Sequence, residues 1–330
     1  MTSQEASKPV PELSVVIPVF NEAQSLGLLL GRLTPVLERC VASYEILFVD
    51  DGSTDGSFAA MREAHGADER VRAIALSRNF SKEVAIAAGL DFASGAAVVI
   101  MDADLQHPPE MIETFVARWH EGYKNVYGQR CDRTADGPLR RLLTQRFYRL
   151  FRAFGETSLP EGAGDFRLFD RQAVSALRSM REKARFSKGL YAWIGFKSIG
   201  VPFEAAARAQ GSSKFSYRKL TRFALDGLMS FSTLPLMVWT YVGTSISVIS
   251  LATAIYFVIR TAVFGVDVPG FTSLIVSITF LAGIQLLSLG VLGEYIGRIF
   301  AEVKGRPLYV IADALGVACE SVGERPHANR

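Results

Sequence analysis

AVVIMDADLQHPPE (97–110) is an apolar run that stops at two aspartates, Asp102 and Asp104, one residue apart. Val98, Val99, Ile100 and Met101 suit a strand covered on both faces. Pro108, Pro109 and Glu110 suit the first turn of a following helix, where a missing N–H costs nothing and a negative charge meets the helix dipole favourably. Such a strand delivers carboxylates to its own end. Hard divalent cations accept one or two carboxylates and take their other oxygens from water and substrate phosphates, so the pair is a candidate holder of a metal–diphosphate. By itself Asp-x-Asp also reads as a polar strand end that caps the next helix, and the rest of the chain has to choose.

Toward the N-terminus, LSVVIPVF (13–20) reads as a buried strand ended by Asn21 and Glu22, after which Leu26, Leu29, Leu30, Leu33 and Leu37 recur at helical spacing. YEILFV (44–49) is a second strand, ended by Asp50 and Asp51. GSTDGS follows as a turn rich in N-cap residues, with a short helix over 58–65. Residues 72–76 form a third strand that stops at Ser77, Arg78 and Asn79, and 83–92 form a third helix. This alternation predicts a mostly parallel α/β sheet wrapped by helices, with a ligand beyond the carboxyl ends of the strands. All four strand ends are polar, more so than turns alone require. No GxGxxG follows the first strand and no GxxxxGK(S/T) occurs, so dinucleotide dehydrogenases and P-loop phosphotransferases lack their phosphate loops here.

Toward the C-terminus, NVYGQ (125–129) is a short strand leading into Arg130, Arg133, Arg140, Arg141, Arg146, Arg149 and Arg152, the last four within an amphipathic basic helix. That helix presents either a solvated face or a surface for anionic headgroups or a phosphate substrate. EGAGDFRLFD (161–170) has Gly162 and Gly164 placed for a sharp turn before Asp165, and also reads as an ordinary loop. Residues 203–209 are a further candidate strand. GSSKF (211–215) is either a serine-rich turn or a phosphate loop. Residues 217–231 carry Leu220, Phe223, Leu228 and Phe231 on one helical face, with Arg218, Lys219 and Arg222 near the start, as a helix in a membrane interface does.

The chain has 330 residues, a net charge of +3 and only 21% charged residues. Its mean hydropathy of +0.21 is apolar for a water-soluble protein and predicts a membrane part. Residues 234–259 and 271–293 contain no charge, and each exceeds the roughly 20 residues that cross a bilayer core. Two transmembrane helices are expected, with a buried helical hairpin as the competing reading. Lys214, Arg218, Lys219 and Arg222 before them, and Arg298, Lys304 and Arg306 after, place both chain ends in the cytoplasm. Gly243, Gly283, Gly290 and Gly293 allow helices to approach closely and suit self-association. The first residues lack the apolar core of a signal peptide. Cys40, Cys131 and Cys319, odd in number and far apart, form neither a disulfide framework nor a zinc cluster, which favours a reducing compartment. The organisation expected is a flexible N-terminus (1–12), an α/β catalytic domain (13–213), an interfacial helix (214–233), two spans (234–297) and a cytoplasmic tail (298–330).

SVVIPVFNE (14–22), EILFVDDGSTDGS (45–57), LSRNFSKE (76–83) and MDADLQHPPE (101–110), in this order, resemble the family 2 nucleotide-sugar glycosyltransferases of the GT-A fold. GDFRLFD (164–170), RFSKGLYAWIGF (185–196), GSSKF (211–215) and LGEYIGRIFAEVKGRPLY (292–309) narrow the resemblance to polyprenyl-phosphate glycosyltransferases, most closely the bactoprenol glucosyltransferases. Ser81 and His107 depart from it, standing where the family more often has Gly and Asp.

The resemblance implies a metal-dependent transfer, with Mg²⁺ or Mn²⁺, of glucose from UDP-glucose to undecaprenyl phosphate. GDP-mannose and a UDP-modified arabinose are the alternative donors. It implies that Pro18, Glu22 and Asp51 hold the uridine, that Asp102 meets the ribose and diphosphate, and that Asp104 with Gln106 binds the metal. It assigns Asp165 as the base, and Arg130, Arg140, Ser213 and Lys214 to the lipid phosphate. It also implies a multi-pass inner-membrane protein, a homo-oligomer, and a link to a lipid-sugar flippase and a downstream glycosyltransferase, with no nucleic-acid partner. A phosphate monoester has a second pKa of about 6, so Asp165 is expected to orient the acceptor as much as to take its proton. A processive polysaccharide synthase would carry QxxRW, and Arg118-Trp119 lacks that glutamine. A non-catalytic scaffold would have no need of acids at so many strand ends.

Overall fold

The computed structural model describes residues 10–130, 163–183, 185–203, 234–264 and 270–317. The expected strand–helix alternation is present: β1 (Leu13–Val19), α1 (Ala23–Cys40), β2 (Tyr44–Asp50), α2 (Ser57–Ala67), β3 (Val71–Leu76), α3 (Lys82–Phe92), β4 (Ala97–Ile100) and α4 (Met111–His120). β5 (Asn125–Arg130), β6 (Ala163–Asp170), α5 (Arg171–Ser179), α6 (Ser187–Trp193) and β7 (Ser198–Phe203) complete the domain's first pass. The long helices α7 (Leu234–Phe264) and α8 (Phe271–Val303) follow, and then β8 (Ile311–Leu315).

One eight-stranded sheet runs in the order β7-β5-β6-β4-β1-β2-β3-β8. β1 pairs in parallel with β2 and β4, and β2 with β3, while β6 runs antiparallel to both β4 and β5. Both faces are covered, which is why the central strands are apolar without alternation. Leu29, Leu33 and Leu37 of α1 and Ile112 and Phe115 of α4 pack one face, and α3, α5 and α6 the other. The α3 backbone lies close on β1, because a Cβ at Gly89 would collide with Val16.

The sheet changes direction of growth between β1 and β4. The chain adds β2 and β3 on one side of β1, then returns to place β4 on the other. In doubly wound sheets this switch point opens a crevice at the carboxyl ends of the strands. β4 pairs with β1 only from Leu13 to Val16, so Pro18, which has no N–H to offer, lies beyond the end of that ladder.

The opposite edge is tied by a buried knot. Glu45, with its side chain 3% exposed, accepts from the Ser14 hydroxyl at 2.5 Å and the Ser94 amide at 2.7 Å, and pairs with Arg72 at 2.6 Å. Glu45→Ala would strand the arginine and both donors. We expect it to destabilise the domain by about 3–5 kcal/mol, read as a large drop in the unfolding midpoint of the purified protein.

Three expectations change. Of EGAGDFRLFD, the described residues Ala163–Asp170 are the strand β6 rather than a loop, and Gly164 lies inside it with no positive φ. Its apolar residues Phe166, Leu168 and Phe169 are buried, and it pairs with β5 on one side and, over Arg167–Asp170, with β4 on the other. The strand expected over 203–209 occupies Ser198–Phe203 instead, and 204–209 lie outside the described residues. Within the segment 298–330, read as a tail, Ile311–Leu315 forms β8, antiparallel on the β3 edge. Tyr309 anchors this return by donating to the buried carboxylate of Asp91 at 2.7 Å, which also pairs with Arg181 at 2.6 Å.

Among the described residues, Phe280–Val303 is long and apolar enough to cross a membrane. Its end meets the domain where Glu302 accepts the Lys183 amide at 2.7 Å. The basic helix over 140–152, the interfacial helix over 217–231 and the GSSKF loop lie outside the described residues.

Candidate functional site

Polar strand ends meet at the switch point, and each is held by hydrogen bonds reaching across loops. After β1, Asn21 receives a bond on its side-chain oxygen from the Thr54 amide at 2.8 Å, and its own amide donates to the Ser53 hydroxyl at 2.9 Å. Glu22 is half-buried and accepts from the Ser25 hydroxyl at 3.0 Å. After β2, Asp51 accepts the amides of Phe80 at 2.7 Å and Ser81 at 3.0 Å, one on each oxygen. Burial raises its pKa, and those two amides act against the rise. Gly52, at φ +70°, lets this turn press against the backbone of Arg78 and Asn79 with no room for a Cβ. Asp51 therefore fixes the loop that launches α3.

α3 begins with Lys82, whose ammonium lies 2.7 Å from Asp102 and 2.9 Å from Asp165. The sheet register explains the meeting. β6 is antiparallel to β4 with Ile100 opposite Arg167, so Asp165 runs past the end of β4 alongside Asp102. Burial works against the ammonium, but the Asp165 and Asp102 carboxylates outweigh it and hold the Lys82 pKa above its ordinary value. Burial likewise opposes ionisation of Asp165, yet the charges of Lys82 and Lys188 hold its carboxyl well below the usual range. Glu83 receives the Ser187 hydroxyl of α6, and burial with the neighbouring Asp165 charge pushes its carboxyl up to about 7.

His107 closes the loop after β4. The Asp102 amide donates to its Nδ1 at 3.2 Å, so that nitrogen carries no proton. Its ring stacks on Phe166 at 4.7 Å, beside Asp165. Burial keeps the imidazole neutral, depressing its pKa.

Backbone strain gathers here. The positive-φ residues other than glycine among the described residues are Asn21, Ser81 and Leu105, which follow β1, β3 and β4. Such conformations persist where surrounding structure enforces them, and they cluster at functional sites. Ser81, at φ 103° and ψ 152°, sits in a region that belongs almost wholly to glycine, and its hydroxyl makes no cap bond. Ser81→Gly keeps the amide that Asp51 needs. We expect it to raise stability by about 1 kcal/mol, the relieved strain exceeding glycine's entropic cost, measured as a higher unfolding midpoint.

Among the sequence-derived site residues, Pro18, Glu22, Asp51, Asp102, Asp104 and Gln106 stand at or just past the carboxyl ends of β1, β2 and β4, and Asp165 of β6 lies alongside Asp102 at that edge of the sheet. Arg130 is exposed at the end of β5, on that same edge. Arg140, Ser213 and Lys214 lie outside the described residues. Lys82, Glu83, Ser187 and Lys188 were not foreseen. A signal for Lys82 was present: it is a cation in the first turn of a mostly apolar helix, where the dipole disfavours it.

The donor set suits a hard cation. Asp104 accepts the Gln106 amide on Oδ1 at 3.1 Å, which brings the residues of a carboxylate and a carboxamide together. Among the described residues no three His, Cys, Asp or Glu side chains form a cage for an ion. With only one or two carboxylates available, a hard cation would have to take its other oxygens from water and substrate phosphates. The second oxygen of Asp165, Oδ1, is buried without a hydrogen-bond partner among the described residues.

A mostly parallel, doubly wound sheet with carboxylates at its switch point is the architecture of the GT-A class. The chain belongs to glycosyl transferase family 2, which residues 14–178 match. It is 46% identical, over 93% of its length and 96% of the relative's, to an uncharacterized glycosyltransferase of Synechocystis sp.. It is 42% identical to the SfII prophage-derived bactoprenol glucosyl transferase of Shigella flexneri, covering 91% of this chain and 97% of that one. Among solved structures it is similar to glucosyl-3-phosphoglycerate synthase from Mycobacterium tuberculosis, with a TM-score of 0.43 and 18% identity over 65% of this chain and 75% of that one.

Proposed function

We propose that this chain is an inverting membrane glycosyltransferase that moves glucose from UDP-glucose onto undecaprenyl phosphate. The observation that carries the reading is the joining of Asp102, on the donor side of the crevice, to Asp165 on the neighbouring strand through one lysine. A lipid acceptor is supported by the Shigella flexneri bactoprenol glucosyl transferase, whose match covers 91% of this chain, too much to leave out the apolar helices.

In this reading Pro18, Glu22 and Asp51 form the wall against which the uridine lies, and Asp102 meets the ribose and diphosphate. Asp104 and Gln106 hold Mg²⁺ or Mn²⁺, which when bound supplies Lewis-acid stabilisation of the diphosphate charge. Arg130, Arg140, Ser213 and Lys214 take the lipid phosphate. One oxygen of that phosphate attacks the anomeric carbon from the face opposite UDP. The new C–O bond forms as the old one breaks, its electron pair leaves with UDP, and the sugar configuration inverts. Asp165 orients the acceptor, and its lowered pKa leaves it only a weak base for a proton the phosphate still holds. Spans at 234–259 and 271–293, with both chain ends in the cytoplasm, keep this site at the surface where the acceptor headgroup lies, which lowers the entropic part of the barrier. A lipid-linked sugar made on that side calls for a flippase and a downstream glycosyltransferase on the other, and the glycines of the spans suit a homo-oligomer.

The test offers the purified protein UDP-glucose, GDP-mannose and a UDP-modified arabinose, each with undecaprenyl phosphate and Mg²⁺ or Mn²⁺. The lipid product is identified by mass. A hexosyl product from UDP-glucose is expected. Preference for either other donor overturns the glucose assignment, and UDP release indifferent to the lipid overturns the acceptor.

A further inference from the structure

Lys82 is held in place from both directions. Its backbone follows the strained Ser81, whose amide Asp51 grips, and its ammonium spans Asp102 and Asp165. Asp102 stands two residues before Asp104. The ammonium thus lies against the carboxylate next to the metal-holding pair, where a divalent cation arriving alone would meet its positive charge. The ammonium touches two carboxylates at once, so it can give up Asp102 and keep Asp165 when a stronger anion arrives. A nucleoside diphosphate is such an anion, because it supplies the negative charge and oxygens that one or two carboxylates lack.

We propose that Lys82 makes divalent-cation binding depend on the nucleotide: it weakens the cation's hold on the empty site and leaves metal and diphosphate to enter as one unit. This rests on the metal assignment to Asp104 and Gln106. The physical basis is one positive charge on the carboxylate two residues before Asp104, partly screened by solvent, which is worth about tenfold in cation affinity. By linkage, whatever Lys82 takes from the affinity of the cation alone reappears as cooperativity between cation and UDP.

The experiment titrates Mn²⁺ by electron paramagnetic resonance, with and without UDP, on the full-length wild-type protein and on Lys82→Met, Lys82→Arg and Asp104→Asn. Lys82→Met is expected to bind Mn²⁺ about tenfold more tightly than wild type without UDP, and to show correspondingly less tightening when UDP is added. Lys82→Arg, which keeps the charge, is expected to stay near wild type, a rescue that a purely structural role would not produce. Unchanged or weaker Mn²⁺ binding by Lys82→Met overturns the inference, as does Lys82→Arg behaving like Lys82→Met. Wild-type loss of Mn²⁺ binding on Asp104→Asn upholds the metal assignment independently. If wild type and Lys82→Met both bind no Mn²⁺ even with UDP, the metal assignment falls and takes this inference with it.

Discussion

Asp165→Asn is expected to lower the transfer rate by about 10²–10³-fold while leaving the protein folded, as measured by kcat with UDP-glucose and undecaprenyl phosphate in detergent. The substitution is nearly isosteric, and β6 keeps its two ladders, so the loss reads chemistry rather than folding. The carboxylate carries more than one duty. It anchors Lys82, and its second oxygen is buried without a hydrogen-bond partner among the described residues. The pH dependence separates these duties. Lys82 and Lys188 hold the Asp165 carboxyl well below its usual range, so it stays ionised from about pH 4 upward and sets no limb near neutrality. The acidic limb of the rate profile is then expected at about pH 6, where the acceptor phosphate gains its second proton and becomes a poorer nucleophile. Glu83, pushed up to about 7, titrates nearby. Glu83→Gln therefore serves as the control. If the limb persists in that variant it belongs to the acceptor, and if it vanishes the limb belongs to Glu83.

The second large effect is expected at Asp104. Asp104→Asn keeps an oxygen for the Gln106 amide, so the loop after β4 retains its form, but the hard anionic ligand is gone. Metal-dependent transfer is expected to fall by about 10²–10³-fold, in line with losing one electrostatic contact to a developing negative charge. The check is a rate titration against Mn²⁺ and Mg²⁺. Near-normal transfer at ordinary metal concentrations would move the metal away from Asp104. Together with Asp165→Asn, the pair separates the donor side of the crevice from the acceptor side.

Much of the fold was legible because it is written at short range. The apolar run from Ala97 to Met101 and the leucines of α1 show their periods within a few residues, and each polar strand end stands next to the strand it terminates. EGAGDFRLFD also reads as a loop because its glycines and charges are local signs of one. Its strand character comes from β4 and β5, which lie far away in the chain and pair with it on its two sides, β4 over Arg167–Asp170. The same holds for β8, a short strand after two long helices, which forms because the β3 edge is open to receive it.

The site divides in the same way. Sequence alone determined that Asp102, Asp104 and Asp51 stand at strand ends, since a strand's last residue is fixed by where its apolar run stops. Only the tertiary structure decided that Asp165 meets Asp102 through Lys82 and that Glu83 meets Ser187 of α6. Those pairs are separated by long stretches of chain, and the antiparallel register of β6 on β4 and the packing of α3 beside α6 bring them together. A side chain's own neighbours in sequence fix its element and its end of the strand, whereas its charge environment is set by whichever distant segments pack against it.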